Sequence, residues 1–191
     1  ASDVYKRQKL RLQNDAIMVG INTVIRDNPS LNCRLPGLED FSPTRIIMDT
    51  NLRIPIESNI VKSANKINTI IFTSKVSSKR KINILKNKGI TIIPISKNKN
   101  GLSLIKALKH LGEMEFNSVL IEGGNKLIAS AIKSSLYSKI YWFSSDKIIG
   151  EEGKPSIGKL NINTLENIPN LHLKNVLNLN NNFLKIYKAS K

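Results

Sequence analysis

The segment Val119-Leu120-Ile121-Glu122-Gly123-Gly124-Asn125-Lys126 joins an apolar run to two glycines and then to a helical pattern. Glycines at such a turn let backbone approach a ligand closely. The unpaired amides of a helix start, with the positive end of its dipole, suit a phosphate. Glu122 falls at the carboxyl end of the expected strand, the side on which α/β sheets bind ligands. The two glycines stop short of a full Gly-x-Gly-x-x-Gly. A plain strand–helix turn with an exposed glutamate fits the bare triplet equally well.

A second segment runs from Asp15 to Arg34. It reads as a buried strand, Ala16 to Val19, a break at Gly20, and then a polar loop holding Thr23, Asp27 and Arg34. The forked donors of Arg34 match a phosphate, and Asp27 can accept from a ribose hydroxyl or an amide. Taken singly, loop residues of these types are most often just solvated. Cys33, His110 and His172 have no metal-ligand spacing, so they read as structural or surface residues and no metal site is expected.

Positioning these residues requires strands that alternate with helices. Apolar runs at 45–49, 69–73, 90–93, 118–121 and 140–143 read as strands, beside 16–19. Residues 4–14, 79–88, 102–111 and 125–137 read as helices, the third stopped by Gly112. Residues 26–43 read as a long loop, punctuated by Asn28-Pro29, Pro36-Gly37 and Ser42-Pro43. Residues 150–170 read as an irregular crossover. The segments 171–179 and 183–188 flank Asn180-Asn181-Asn182 and predict a C-terminal β-hairpin, since asparagine tolerates the left-handed turn conformation. The expected fold is α/β, a mixed sheet flanked by helices, in one domain.

Thirty basic against fourteen acidic residues give a formal charge of +16. That balance admits nucleic-acid binding. The longest basic cluster, Lys79-Arg80-Lys81, has no interleaved aromatics to form a stacking platform, so nucleic acid is not the expected partner. The same field attracts a small anionic substrate. No apolar run approaches a membrane span, no basic-then-apolar leader opens the chain, and the one cysteine cannot form an internal disulfide. These features predict a cytoplasmic protein. The first residue is Ala1 and the first eight residues carry no strand pattern, which reads as a fragment, a processed form or a foreign scar.

Together the motifs make a more specific pattern. Arg11 to Gly20, Thr23-Val24, Asp27-Asn28-Pro29, Leu31 to Arg34, Ile121-Glu122-Gly123-Gly124 and Asp146-Lys147-Ile148-Ile149-Gly150 resemble, in order and spacing, the reductase domain of bacterial riboflavin-biosynthesis enzymes. Asp146 stands where that family has proline. The resemblance implies a dihydrofolate-reductase-like fold and NADPH-dependent reduction of 5-amino-6-(5-phosphoribosylamino)uracil. Thr23, Asp27 and the stretch Gly124, Asn125, Lys126, Leu127, Ile128, Ala129 and Ser130 would contact NADPH. Arg11, Leu31, Arg34 and Glu122 would contact the phosphoribosylaminopyrimidine substrate. A related diaminopyrimidine reductase, acting on the undeaminated ring, fits the same residues. The resemblance further implies a first strand before the helix that holds Arg11, which is missing from this sequence. Without it, the edge of Ala16 to Val19 is expected to be exposed. A fused deaminase domain and a homo-oligomeric assembly are the other expected partners. The chain itself has no His-x-Glu and Cys-x-x-Cys pair for a deaminase zinc.

Overall fold

A computed structural model describes residues 3–74, 78–98, 101–148, 153–164, 168–180 and 182–189. The chain begins with helix α1 (Asp3–Leu12), strand β1 (Ala16–Gly20) and helix α2 (Ile21–Asp27). There follow β2 (Thr44–Met48), the short α3 (Asn59–Lys62), β3 (Thr69–Thr73), α4 (Lys79–Asn87) and β4 (Ile90–Pro94). A two-residue ribbon, β5 (Lys97–Asn98) and β6 (Gly101–Leu102), leads into α5 (Leu104–Glu113), β7 (Val119–Gly123) and α6 (Asn125–Lys133). Then come β8 (Lys139–Ser145), β9 (Leu171–Asn178) and β10 (Asn182–Ala189).

Five strands form a parallel sheet in the order β4-β3-β2-β1-β7. Their continuous apolar runs are what a sheet covered on both faces requires. Ile17, Val19, Ile47 and Ile71 face one way, onto Ile21 and Val24 of α2, Ile60 and Val61 of α3, and Leu85 of α4. Ala16, Met18, Ile46, Ile70 and Phe72 face the other way, onto Leu104, Ala107 and Leu111 of α5 and Ala131 of α6. The expected C-terminal hairpin is present, with Asn180 in the left-handed region at φ 66. Its second strand pairs with β8, making a separate antiparallel sheet, β8-β10-β9, instead of extending the parallel one.

β1 is not an edge. It pairs with β2 on one side and β7 on the other, and its four apolar residues are fully buried. Among the described residues the five-stranded sheet has edges at β4 and β7 and the three-stranded sheet at β9 and β8; two of these, β7 and β8, lie beside α1. Both strands are only partly buried along their length. Helix α1 reaches both: Arg11 bonds Glu122 of β7, and the Arg7 guanidinium lies 5.0 Å from the ring centre of Phe143 on β8.

Helices α5 and α6 end where no glycine marks the stop. α5 runs through Gly112 to Glu113, because Glu115 takes the left-handed conformation at φ 67 and Phe116 N–H closes back on the Leu111 carbonyl at 3.0 Å. α6 ends at Lys133, four residues before Tyr137, because Ser135 does the same at φ 51 and Leu136 N–H bonds the Ala131 carbonyl.

Candidate functional site at the carboxyl ends of β1 and β7

After β4 the chain returns to the far side of β1 to lay down β7, so the strand order reverses between these two. The helices that follow them leave on opposite faces, α2 toward one core layer and α6 toward the other. Diverging helices open a crevice outside the strand ends, the usual place for a ligand in a parallel sheet.

Gly20 closes β1 and Gly124 opens α6, and their backbones meet there. A Cβ on Gly124 would sit 3.3 Å from the Gly20 nitrogen, and Gly124 has φ 90, which a side chain rarely adopts. A Cβ on Gly123 would stand 3.1 Å from Thr23 Oγ1, so Thr23 closes over the turn. No side chain caps α6, so the amides of its first residues lack the helix partners that later turns have. Asn125 and Lys126 are exposed, Leu127, Ile128 and Ser130 half-buried, and Ala129 buried in the helix's inner face.

Glu122 is the extra residue of a β-bulge: Met18 pairs with Ile121, and Val19 already with Gly123. Bulges re-aim side chains, and this one delivers the Glu122 carboxylate to Arg11. Arg11 Nε donates to Oε1 at 2.9 Å and Nη2 to Oε2 at 2.6 Å, while Nη1 donates to the Asn32 carbonyl at 2.8 Å. Both side chains are largely covered, 11% and 20% exposed. One fork thus joins α1, β7 and the loop that carries Leu31 to Arg34. Charge-assisted bonds of this kind contribute about 1.5–3 kcal/mol each.

Thr23 and Asp27 stand on α2, not in a loop. Ile21 and Val24 fall one turn apart and bury together against β1, which overrides the weak helix propensity of this β-branched stretch. Asp27 is paired with its neighbour Arg26 at 2.6 and 2.7 Å. The Arg26 hydrogen bond holds the Asp27 carboxyl below the usual range, and the charge of Lys154 acts in the same direction. Arg34 is exposed, and its amide is fixed by Gln8 Oε1 of α1 at 2.8 Å. Leu31 is buried in the core at φ 50, so its side chain serves packing. Cys33 is buried and His110 lies on α5 beside Glu113 and Phe72, away from the crevice. Of Asp146 to Gly150, Ile149 and Gly150 lie outside the described residues.

Two contributors escaped the sequence reading. Gly20 was read only as a strand stop, yet it supplies the near wall of the crevice. Gly158 belongs to the irregular crossover. Its amide donates to the Asn125 carbonyl at 2.9 Å, and a Cβ there would lie 2.9 Å from the same oxygen. The crossover therefore rests, backbone on backbone, on the first turn of α6.

Comparisons with known proteins agree with this arrangement. Residues 5–185 match the family described as RibD C-terminal domain. The riboflavin biosynthesis protein RibD of Actinobacillus pleuropneumoniae is 33% identical over 168 residues, 87% of this chain and 44% of that protein. The 5-amino-6-(5-phosphoribosylamino)uracil reductase of Buchnera aphidicola is 31% identical, over 78% of this chain and 73% of that protein. Among solved structures, RibD of Acinetobacter baumannii superposes with a TM-score of 0.82 at 19% identity, covering 97% of this chain and 49% of that one. The chain spans about half the length of the first curated relatives it matches. A match that runs through α1, the β1–β7 crevice and the C-terminal sheet places this chain in the RibD C-terminal domain family.

Proposed function

We propose that this chain is the reductase part of a riboflavin-pathway enzyme and reduces 5-amino-6-(5-phosphoribosylamino)uracil with NADPH in the cytoplasm. The observation that carries the reading is the meeting of Gly20 and Gly124 beside the Arg11–Glu122 fork. Backbone that bare can cradle a pyrophosphate against the α6 amides, and a Cβ on Gly124 would press on the Gly20 backbone that forms the other side. Gly124 to Ser130, Thr23 and Asp27 are the residues assigned to the cofactor. Bound there, the cofactor supplies hydride. Arg11, Glu122, Arg34 and Leu31 are assigned to the substrate, where the Arg34 cation offsets its phosphate and Glu122, oriented by Arg11, accepts from its ring donors. Ring opening of the ribosylamino sugar leaves a C=N bond. The carbon takes hydride, the nitrogen takes a proton, and the product is a ribitylamino chain.

The free edges of β7 and β8, both reached by α1, support a second element of this reading: a strand upstream of α1 completes the site there, and a deaminase domain precedes that strand in the whole protein. Hydride transfer needs reacting carbons within about 3–3.5 Å, and that strand would line their meeting point. The test follows NADPH absorbance with the phosphoribosylaminopyrimidine, comparing residues 1–191 with a version extended upstream by its native coding sequence. Turnover is expected only in the extended protein. No turnover by either overturns the functional reading, and equal turnover overturns the missing strand.

A further inference from the structure

At the opposite, amino end of the sheet lies a charge the reductase reading does not use. Arg45, on β2, is fully buried, and among the described residues its guanidinium meets only neutral oxygens. Nε and Nη2 donate to Thr69 Oγ1 at 3.0 and 2.8 Å; Nη1 donates to Ser63 Oγ at 2.7 Å and to the Ser30 carbonyl at 3.2 Å. Nη2 also reaches the carbonyls of Ile60 and Ile67 at 3.0 and 3.1 Å. No carboxylate is among these partners. Burial lowers its pKa to about 10, the direction expected for a desolvated cation without a counterion.

Above this group opens a pocket of about 370 Å³ lined by Ser30, Asn32, Asn59, Lys62, Ser63 and Lys66. That volume is within the range of small-ligand sites. Ser30 and Ser63 are themselves acceptors of Arg45, so the buried cation lies directly under the floor. Lys62 and Lys66 stand at the wall. The acid in reach is Glu57, 3.3 Å from Lys62 and 79% exposed, where water screens it. Three cations therefore face one poorly placed carboxylate around a concave, hydroxyl- and amide-lined space.

We propose that this pocket binds a phosphate-bearing anion, either inorganic phosphate or a small phosphomonoester. The Arg45 donors are all engaged, so its part is the uncompensated charge, which acts strongly because it is buried. Direct contacts fall to the ammonium groups of Lys62 and Lys66 and to the Ser30 hydroxyl. The site is separate from the β1–β7 crevice but tied to it. Asn32 lines the pocket, and its carbonyl holds Arg11. An anion here would steady the loop that presents Leu31 and Arg34.

The test is amide NMR of the whole chain titrated with inorganic phosphate and, separately, with ribose 5-phosphate, against chloride at matched ionic strength. Saturable shifts are expected at Ser30, Asn32 and Ser63, absent with chloride. They should weaken roughly tenfold or more when Lys62→Ala and Lys66→Ala are combined, because two charge-assisted contacts are lost. Tighter binding of ribose 5-phosphate assigns the site to phosphomonoesters, and equal binding assigns it to the free anion. Shifts confined to Gly123 and Gly124, an equal response to chloride, or undiminished affinity in the double variant would each overturn the proposal. Both lysines are exposed, so the variant keeps its fold, which its own spectrum verifies.

Discussion

Replacing Gly124 with alanine should separate the crevice from the rest of the fold. The cost has two sources in the structure. The residue sits at φ 90, where a Cβ is strained whatever the space around it, and such conformations cost about 1–3 kcal/mol. The added methyl would also press on the Gly20 nitrogen at 3.3 Å. About 2 kcal/mol is the expected sum, which for a chain of this size lowers Tm by roughly 4–8 °C. Gly112 is the matched control. It lies inside α5, with nothing within 4 Å of a Cβ and no positive φ. There alanine should stabilise by up to about 0.5 kcal/mol, less than the helix-interior difference because Gly112 lies in the last turn. The two substitutions are chemically identical and should move Tm in opposite directions. Thermal unfolding measures this, and a nicotinamide fluorescence titration on the N-terminally extended protein measures the cofactor. Affinity should fall about tenfold or more in Gly124→Ala and hold in Gly112→Ala. A Gly124→Ala protein with unchanged Tm and unchanged affinity would refute the argument that bare backbone at Gly20 and Gly124 makes the cradle.

Other consequences can be checked separately. Arg34→Ala removes an exposed side chain without an ion pair among the described residues, so stability should stay within about 0.5 kcal/mol. Substrate affinity should fall roughly 10- to 150-fold, and a loss of NADPH affinity instead would reassign the residue. Gly158→Ala should lift the crossover off α6, since its Cβ meets the Asn125 carbonyl oxygen at 2.9 Å. The expected signs are faster proteolysis within 153–164 and a raised KM for cofactor, and unchanged proteolysis would show that the contact is not needed. Asp15 accepts from the amides of Asn117 and Ser118 at 2.8 and 2.9 Å, and these bonds hold its carboxyl below the usual carboxylate range. Its folded pKa is depressed, so its contribution is present above the unfolded value and is lost as pH falls through the folded one. Urea unfolding between pH 5 and pH 2 should therefore show a shallower acid loss in Asp15→Asn than in wild type; parallel curves would contradict it.

Much of the sheet was legible because buried parallel strands have a plain signature. Ile46-Ile47-Met48 and Ile70-Ile71-Phe72 are apolar on both faces and bounded by polar residues. The C-terminal hairpin was legible from its asparagines. The Glu122-Gly123-Gly124 turn was legible because glycine has few other uses between a strand and a helix. What remained hidden depended on partners distant in sequence. α2 is seven residues of poor helix formers held by Ile21 and Val24 against a core that does not exist locally. Two helix ends rest on Glu115 and Ser135 in the left-handed region, where glycine is the usual signal. The expected exposed edge fell on the wrong strand, because nothing in Ala16 to Val19 tells that β7 returns to its side. Gly158 carried no signal, since its partner is the backbone of Asn125 and backbone contacts leave no trace in side-chain pattern.

The return of β7 to β1 also bears on how the molecule comes together in time. β1, β2, β3 and β4 pair with their successive neighbours along the chain, whereas Asp15 and Ser118, which clamp the start of the β1–β7 pair, are 103 residues apart. Closing the longer loop costs more chain entropy, and contacts so distant slow folding. The four-stranded half should therefore acquire protection first, with β7 docking afterwards and bringing Glu122 and Gly124 to the crevice. Pulsed hydrogen exchange during refolding should find Ile46, Ile47 and Ile71 protected before Leu120 and Ile121. A nascent chain would then hold an ordered sheet before it holds any site, and agents that trap it at that stage would capture a folded but ligand-blind intermediate.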